Sequence, residues 1–95
     1  MDKKEEYRKK LEAQLKEWKA KIDDLEARGA KFTSEAKTEL MKEIKELRQK
    51  KGIVKEKWNE LQKVSADSWD SVKEGVEKAV AELKGALDRV IARFK

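Results

Sequence analysis

Apolar residues recur at alternating steps of four and three along the first half of the chain, with charged residues between them. They are Leu11, Leu15, Trp18, Ile22, Leu25, Gly29, Phe32, Ala36, Leu40, Ile44 and Leu47. This heptad spacing places one narrow apolar stripe on a helix. Outside the stripe, acidic residues stand four positions before basic ones, as in Glu12–Lys16 and Glu17–Lys21, which is the favourable order for such pairs. The pattern therefore predicts helix throughout this half.

A second stripe begins after Gly52 and runs almost to the last residue. It comprises Val54, Trp58, Leu61, Ser65, Trp69, Val72, Val76, Val80, Leu83, Leu87, Val90 and Phe94. Each half has one weak place, at residues 28–34 and at residues 65–68, where steps of four follow one another. Ser34 can cap a new helix at the first place, and Ser65 or Asp67 can do so at the second. Successive steps of four can instead relax a coiled coil without ending the helix, so both interpretations stay open.

Residues Lys50, Lys51 and Gly52 form a typical helix end close to the midpoint of the chain. Lysines favour the carbonyl end of a helix, and glycine accepts the left-handed conformation that often follows it. The apolar positions on the two sides of Gly52 are also approximately mirrored. The sequence therefore predicts one all-α coiled-coil domain, residues 1–95, folded as a long antiparallel helical hairpin that turns near Gly52.

Each arm of this hairpin would contain about 45 residues and extend roughly 65–70 Å. Two helices bury only one stripe each, so the hairpin is expected to self-associate, most simply as a homodimer with a four-helix core. The seam between the subunits is predicted to contain Leu11, Trp18, Leu25, Trp58, Trp69, Leu83 and Leu87. A core position is also the expected role of all three tryptophans, because they lie on the stripes.

The alternative architecture breaks at both weak places and gives an up-down-up bundle of three helices, at about residues 5–28, 35–63 and 67–94. This bundle would form its own core as a monomer. Gly52 would then lie inside the middle helix, at a cost of about 1 kcal/mol. The mirrored stripes favour the hairpin over this alternative.

Composition narrows the chemistry that the chain can perform. Charged residues make up 47% of the 95 positions, but the signs are interleaved and the apolar residues are periodic, which indicates solvated helices rather than disorder. The chain has no cysteine and no histidine, so thiolate nucleophiles, the commonest general base and the commonest metal ligands are missing. We therefore expect no enzymatic activity, no cofactor, no metal and no small-molecule substrate.

Serines and aspartates cluster at Ser65, Asp67, Ser68, Asp70 and Ser71. Without histidine to activate a hydroxyl group, this cluster is better explained by helix capping than by a nucleophilic serine. No apolar run approaches the roughly 18–20 residues of a membrane span, and the first residues contain no apolar signal region. A cytoplasmic location is expected.

The net charge of +5 arises mainly from residues 29–64, which contain ten basic and six acidic side chains. A basic region of this kind can attract phosphates or an acidic partner. We predict at most a weak, non-specific site for an anion or partner, with anionic lipid and nucleic acid as candidate ligands. Its residues would be Arg48, Lys50, Lys51, Lys55 and Lys57.

The C-terminal region is the most apolar part of the chain, with a broad face between Trp69 and Phe94. Lysines and arginines flank this face, as in amphipathic helices that lie on a membrane surface. Burial against other helices of the protein is the simpler interpretation. Membrane-surface binding is kept as an alternative function.

The two ends of the chain, from Met1 to Trp18 and from Ser68 to Lys95, resemble small bacterial coiled-coil proteins of a stress-response family first noted in cyanobacteria. The resemblance implies a soluble, all-helical protein linked to stress conditions, and it supplies no active site to carry over. The chain differs from these proteins at Gly52 and between Arg28 and Thr33, where they have uninterrupted helix. The function expected from the residues and the resemblance together is a non-enzymatic interaction or scaffold protein with an unidentified protein partner.

Overall fold

The chain forms three long helices in a computed structural model that describes residues 3–95. They are α1 (Lys3–Arg28), α2 (Ser34–Lys63) and α3 (Ala66–Arg93), with a short 3-10 turn at Gly29–Lys31. The bundle measures 52 × 21 × 18 Å. The predicted all-α class is confirmed, and the described residues contain no strand.

Aromatic contacts at the two poles of the bundle define how the helices run. At one pole the ring of Tyr7 lies 5.9 Å from that of Trp58 and 6.1 Å from that of Trp69. At the other pole the rings of Phe32 and Phe94 stack at 6.0 Å. Helices α1 and α3 therefore point the same way, and α2 runs antiparallel to both, as in the up-down-up bundle.

The predicted turn at Gly52 is not present. Gly52 lies inside α2, and no glycine has a positive φ among the described residues. The reason is the seven-residue step from Leu47 to Val54, which keeps both side chains on the buried face when the helix continues. Burying Val54 and the apolar residues that follow it contributes more than the roughly 1 kcal/mol that a glycine costs within a helix.

The chain instead turns at the first weak place, where Gly29 is buried. A Cβ atom at position 29 would lie 3.0 Å from Cδ2 of Leu40, so glycine permits a close approach between the turn and α2. Phe32 is extended, and the Thr33 hydroxyl accepts a hydrogen bond from the backbone N–H of Ala36 at 3.3 Å. Thr33 is thus the N-cap of α2, one residue before the predicted Ser34.

The second turn occupies Val64 and Ser65, both of which have extended backbone. Ser65 holds the N-cap position of α3, but its side chain makes no capping hydrogen bond. Asp67 lies in the first turn of α3, where a carboxylate interacts favourably with the helix dipole. The serine–aspartate cluster therefore marks a helix start, and Ser65, Asp67 and Ser68 are exposed.

One apolar core is shared by all three helices, and no polar or charged side chain is buried among the described residues. Most of the predicted stripe positions belong to it. Ser65 is exposed, and a few stripe residues, such as Leu15 and Trp69, are half-buried. The buried apolar residues are Leu11, Trp18, Ile22, Leu25, Leu40, Ile44, Leu47, Val54, Trp58, Leu61, Val76, Ala79, Leu83, Ala86, Leu87, Val90 and Phe94.

The residues predicted to form a seam between subunits lie in this intrachain core. Six of them are buried within the single chain, and Trp69 is half-buried. The third helix covers the stripe that a two-helix hairpin would have left open. Covering the seam therefore requires no second copy of the chain.

The apolar face of the C-terminal region is largely occupied as well. Val76, Leu83 and Val90 are buried on the side of α3 that joins the core. Contact of this face with lipid would require α3 to leave the bundle. No helix within residues 3–95 is long and apolar enough to cross a membrane.

Spin labels on cysteines introduced at Lys10 and Lys95 are expected to lie about 30 Å or more apart. Lys10 faces Lys73 across the groove between α1 and α3, and the rest of α3 carries the chain to the opposite pole. Pulsed electron paramagnetic resonance measures this distance, with unlabelled protein added to suppress signals between copies. A distance near one interhelical spacing, about 8–10 Å, would instead support the hairpin.

Candidate anion-binding groove

Lysines from two helices meet in a shallow groove between α1 and α2. Lys51 and Lys55 are one turn apart on α2, and Lys16 and Lys19 face them from α1. The groove has a volume of about 270 Å³. We call it the lysine groove, and its lining residues are Glu12, Leu15, Lys16, Lys19, Lys51 and Lys55.

The floor of the lysine groove is apolar. Leu15 is half-buried and packs against the core cluster. Lysine side chains carry long aliphatic stems that cover apolar surface while the ammonium group stays in water. The groove therefore combines an apolar floor with a rim of ammonium groups, of which Lys51 is half-buried and Lys55 is exposed.

The positive charge of the groove is incompletely neutralised. Lys19 forms an ion pair with Asp23 at 3.1 Å. Within residues 3–95, the amino groups of Lys16, Lys51 and Lys55 have no carboxylate within 4.0 Å. With four lysines and one glutamate, the lining has a net charge of +3.

The environment of Lys51 reflects this excess charge. Burial lowers the pKa of its amino group, and the nearby cations Lys19 and Lys55 lower it further, while Asp23 partly opposes them. An anion in the groove would interact favourably with all of these ammonium groups.

Arg48, which was predicted to belong to the basic cluster, is neutralised by acidic residues of α1. Its guanidinium group lies 3.2 Å from Asp23 and 2.7 Å from Glu26. The hydrogen bond to Glu26 is the main cause of its raised pKa. This ion-pair network closes one end of the lysine groove.

Arg8 forms a similar boundary at the other end. It pairs with Glu5, and its second terminal nitrogen lies 3.9 Å from Glu12. The free positive charge is therefore confined to the centre of the α1–α2 face. This confinement limits the length of an anionic ligand that can be bound without approaching carboxylates.

Lys50 and Lys57 lie outside the lysine groove. Consecutive residues of a helix point about 100° apart, so Lys50 and Lys51 diverge. Lys50 lines a groove on the other side of α2 with Glu43 and Glu46. The predicted cluster of five is thus split, and only Lys51 and Lys55 share a site.

Lys16 and Lys19 were not among the residues predicted to form the basic site. Lys16 was expected to pair with Glu12 along α1, and Lys19 was assigned no role. Their partners across the groove are more than thirty residues away in the chain. The up-down-up topology brings them opposite Lys51, and the spacing of residues along the sequence does not show this proximity.

A second cluster lies at the pole where α1 and α3 begin. The ammonium group of Lys4 stands 5.1 Å from the ring centroid of Trp69, and that of Lys73 stands 5.0 Å from the ring of Tyr7. These rings also pack on one another, and burial raises the pKa of the Tyr7 phenol. Glu6 and Asp70 line the same groove, so its charge is mixed. The cluster is best explained as packing that closes this pole.

Comparison with known proteins adds no family to this description. No protein-family model, no curated protein sequence and no solved structure matches the chain.

Proposed function

We propose that this chain is a non-enzymatic interaction module that binds an acidic segment of a partner protein in the lysine groove. The observation that carries the proposal is the meeting of Lys16, Lys19, Lys51 and Lys55 around Leu15. Three of these lysines have no carboxylate partner within the described part of the chain. Placing like charges together costs free energy that a bound anion recovers.

The shape of the charged region supports a peptide ligand more than a nucleic acid. Nucleic-acid binding is driven by neutralising many phosphates along a regular backbone. Here the free lysines occupy a short segment between carboxylates, with Glu5 and Glu12 at one end and Glu26 at the other. A peptide can place two carboxylates on the lysines and an apolar side chain on Leu15.

Membrane-surface binding receives less support from the same structure. The apolar face of α3 that would contact lipid is mostly buried in the core, where Leu83 and Val76 are fully buried. The only large hydrophobic side chain that is exposed among the described residues is Ile53, at 45%. A single exposed side chain offers little apolar area to a lipid surface.

The lysine groove does not bear on the link to stress or on the oligomeric state. The link to stress conditions rests on the resemblance of the two chain ends alone. Self-association is not part of the proposal, because the third helix already covers the stripe that motivated it. We propose that the chain binds its partner as a monomer of 11.1 kDa.

Reversing two charges in the groove is expected to weaken binding of an acidic peptide. The probe is a short blocked peptide in which leucine is flanked by glutamates, and isothermal titration calorimetry measures its affinity. Lys51→Glu combined with Lys55→Glu should lower the affinity by about ten-fold or more, because each lost or reversed exposed pair contributes up to about 1 kcal/mol.

A matched control separates the groove from the net charge of the protein. Lys42 and Lys45 are exposed residues of the same helix outside the groove, and reversing both changes the net charge equally. The control variant should keep its affinity within about two-fold. Equal losses in both variants would contradict a specific groove. Tighter binding of a single-stranded oligonucleotide than of the peptide would favour the nucleic-acid alternative.

A further inference from the structure

Lys51 differs from the other lysines of the groove in its surroundings. Its side chain is half-buried, whereas Lys16, Lys19 and Lys55 are exposed. It lies between the two helices with the apolar side chain of Leu15 beneath the groove. A partly desolvated amine beside other cations is the arrangement that activates lysine as a nucleophile, because the neutral form of the amine is favoured.

The neighbours of Lys51 provide a place for a small phosphate group. Lys16 and Lys55 have exposed ammonium groups without carboxylate partners in the part of the chain that the structure describes. Both line the same groove of about 270 Å³ as Lys51, so a phosphate held there would bring what it carries into the groove that contains this amine. Such positioning raises the effective concentration of the reacting group at the amine.

We infer that Lys51 is an acylation site, modified by small acyl phosphates that dock in the lysine groove. The neutral Nζ atom attacks the acyl carbonyl carbon with its lone pair, and the new C–N bond forms. The bond between the acyl carbon and the phosphate oxygen breaks, and inorganic phosphate leaves with the bonding electrons. The proton lost from Nζ passes to phosphate or water, so the products are an amide and inorganic phosphate.

The modification changes the charge of the groove. Acylation removes the positive charge of one lysine, so the lining falls from the net +3 given by its four lysines and one glutamate to +2. We expect weaker binding of the acidic peptide to the acylated protein. This regulatory consequence rests on the proposed function, whereas the chemical step can be measured without any peptide.

The test is to incubate the folded, full-length protein with acetyl phosphate and to follow each lysine by mass spectrometry. Lys84 is an exposed residue of α3 and serves as the internal reference. Lys51 is expected to react at least about five-fold faster than Lys84, because docking and desolvation act together. A rate at Lys51 equal to that at Lys84 would overturn the inference.

Two controls isolate the role of the phosphate. Lys16→Gln combined with Lys55→Gln should slow acetylation of Lys51 several-fold, while Lys42→Gln combined with Lys45→Gln should leave it unchanged. The neutral N-hydroxysuccinimide ester of acetic acid lacks a phosphate, so its preference for Lys51 should be smaller. Equal preference with both reagents, or an unchanged rate in the Lys16 and Lys55 variant, would overturn docking. Because no peptide is present, these outcomes are independent of the peptide affinity.

Discussion

Replacing Ile44 with alanine is expected to lower the free energy of unfolding by about 2–5 kcal/mol. Ile44 lies inside α2 and is 1% exposed, so the truncation removes buried methyl and methylene groups and leaves a cavity in the shared core. In a domain of this size the loss corresponds to a decrease in Tm of roughly 10 °C or more. Thermal and urea unfolding followed by circular dichroism measure the change.

Ile53 supplies a control of the same residue type in the same helix. Its side chain is 45% exposed, so Ile53→Ala removes little buried area and places a better helix former in α2. The free energy of unfolding should change by no more than about 0.5 kcal/mol. Similar losses for the two variants would mean that the exposed face of α2 is covered in solution, as it would be in a self-associated protein.

The core was largely predictable from the sequence because burial follows the heptad stripe. Leu11, Leu40 and Leu83 all lie at stripe positions and are buried. An amphipathic helix buries its apolar face, whether another helix of the chain or another subunit covers it. For the same reason the pattern could not distinguish the two architectures, since a second helix, a third helix or another subunit can each cover an apolar stripe.

The weak places illustrate how local signals can be ambiguous. Gly29 and Gly52 each stand beside positively charged residues near the end of a possible helix. Only the first is followed by a capping residue, Thr33, whose hydroxyl satisfies a backbone N–H of the next helix. After Gly52, the apolar stripe resumes without a polar cap or an interruption in spacing. A capping side chain in addition to a glycine therefore distinguishes the first turn from Gly52.

The lysine groove was predictable only in part for a different reason. Lys51 and Lys55 belong to one helix, where a spacing of four places them on the same face. Lys16 and Lys19 join them through packing of α1 against α2. Arg48 was removed from the set by ion pairs with α1, which also depend on that packing. Charge density along a sequence thus indicates a candidate region, whereas topology determines which charges remain unpaired.

Substituting Gly52 separates the two architectures by the sign of the stability change. In the three-helix bundle Gly52 has helical backbone, and a Cβ atom there would meet no atom within 4 Å. Gly52→Ala should therefore raise the free energy of unfolding by about 0.5–1 kcal/mol. Gly52→Pro should lower it by about 3 kcal/mol or more, because proline removes a helical hydrogen bond and clashes with the preceding turn. Chemical unfolding of the three proteins measures both differences.

Gly29→Ala is the matched control, because it is expected to lower the free energy of unfolding, whereas Gly52→Ala is expected to raise it. Its added Cβ atom would approach Cδ2 of Leu40 at 3.0 Å, so the turn or the core must shift. We expect a loss of roughly 1 kcal/mol, in the range observed for overpacking. In a hairpin turning at Gly52, that glycine would occupy a left-handed position, where alanine is unfavourable. A loss of stability in Gly52→Ala, together with tolerance of proline there, would therefore contradict the continuous helix α2 and restore the hairpin.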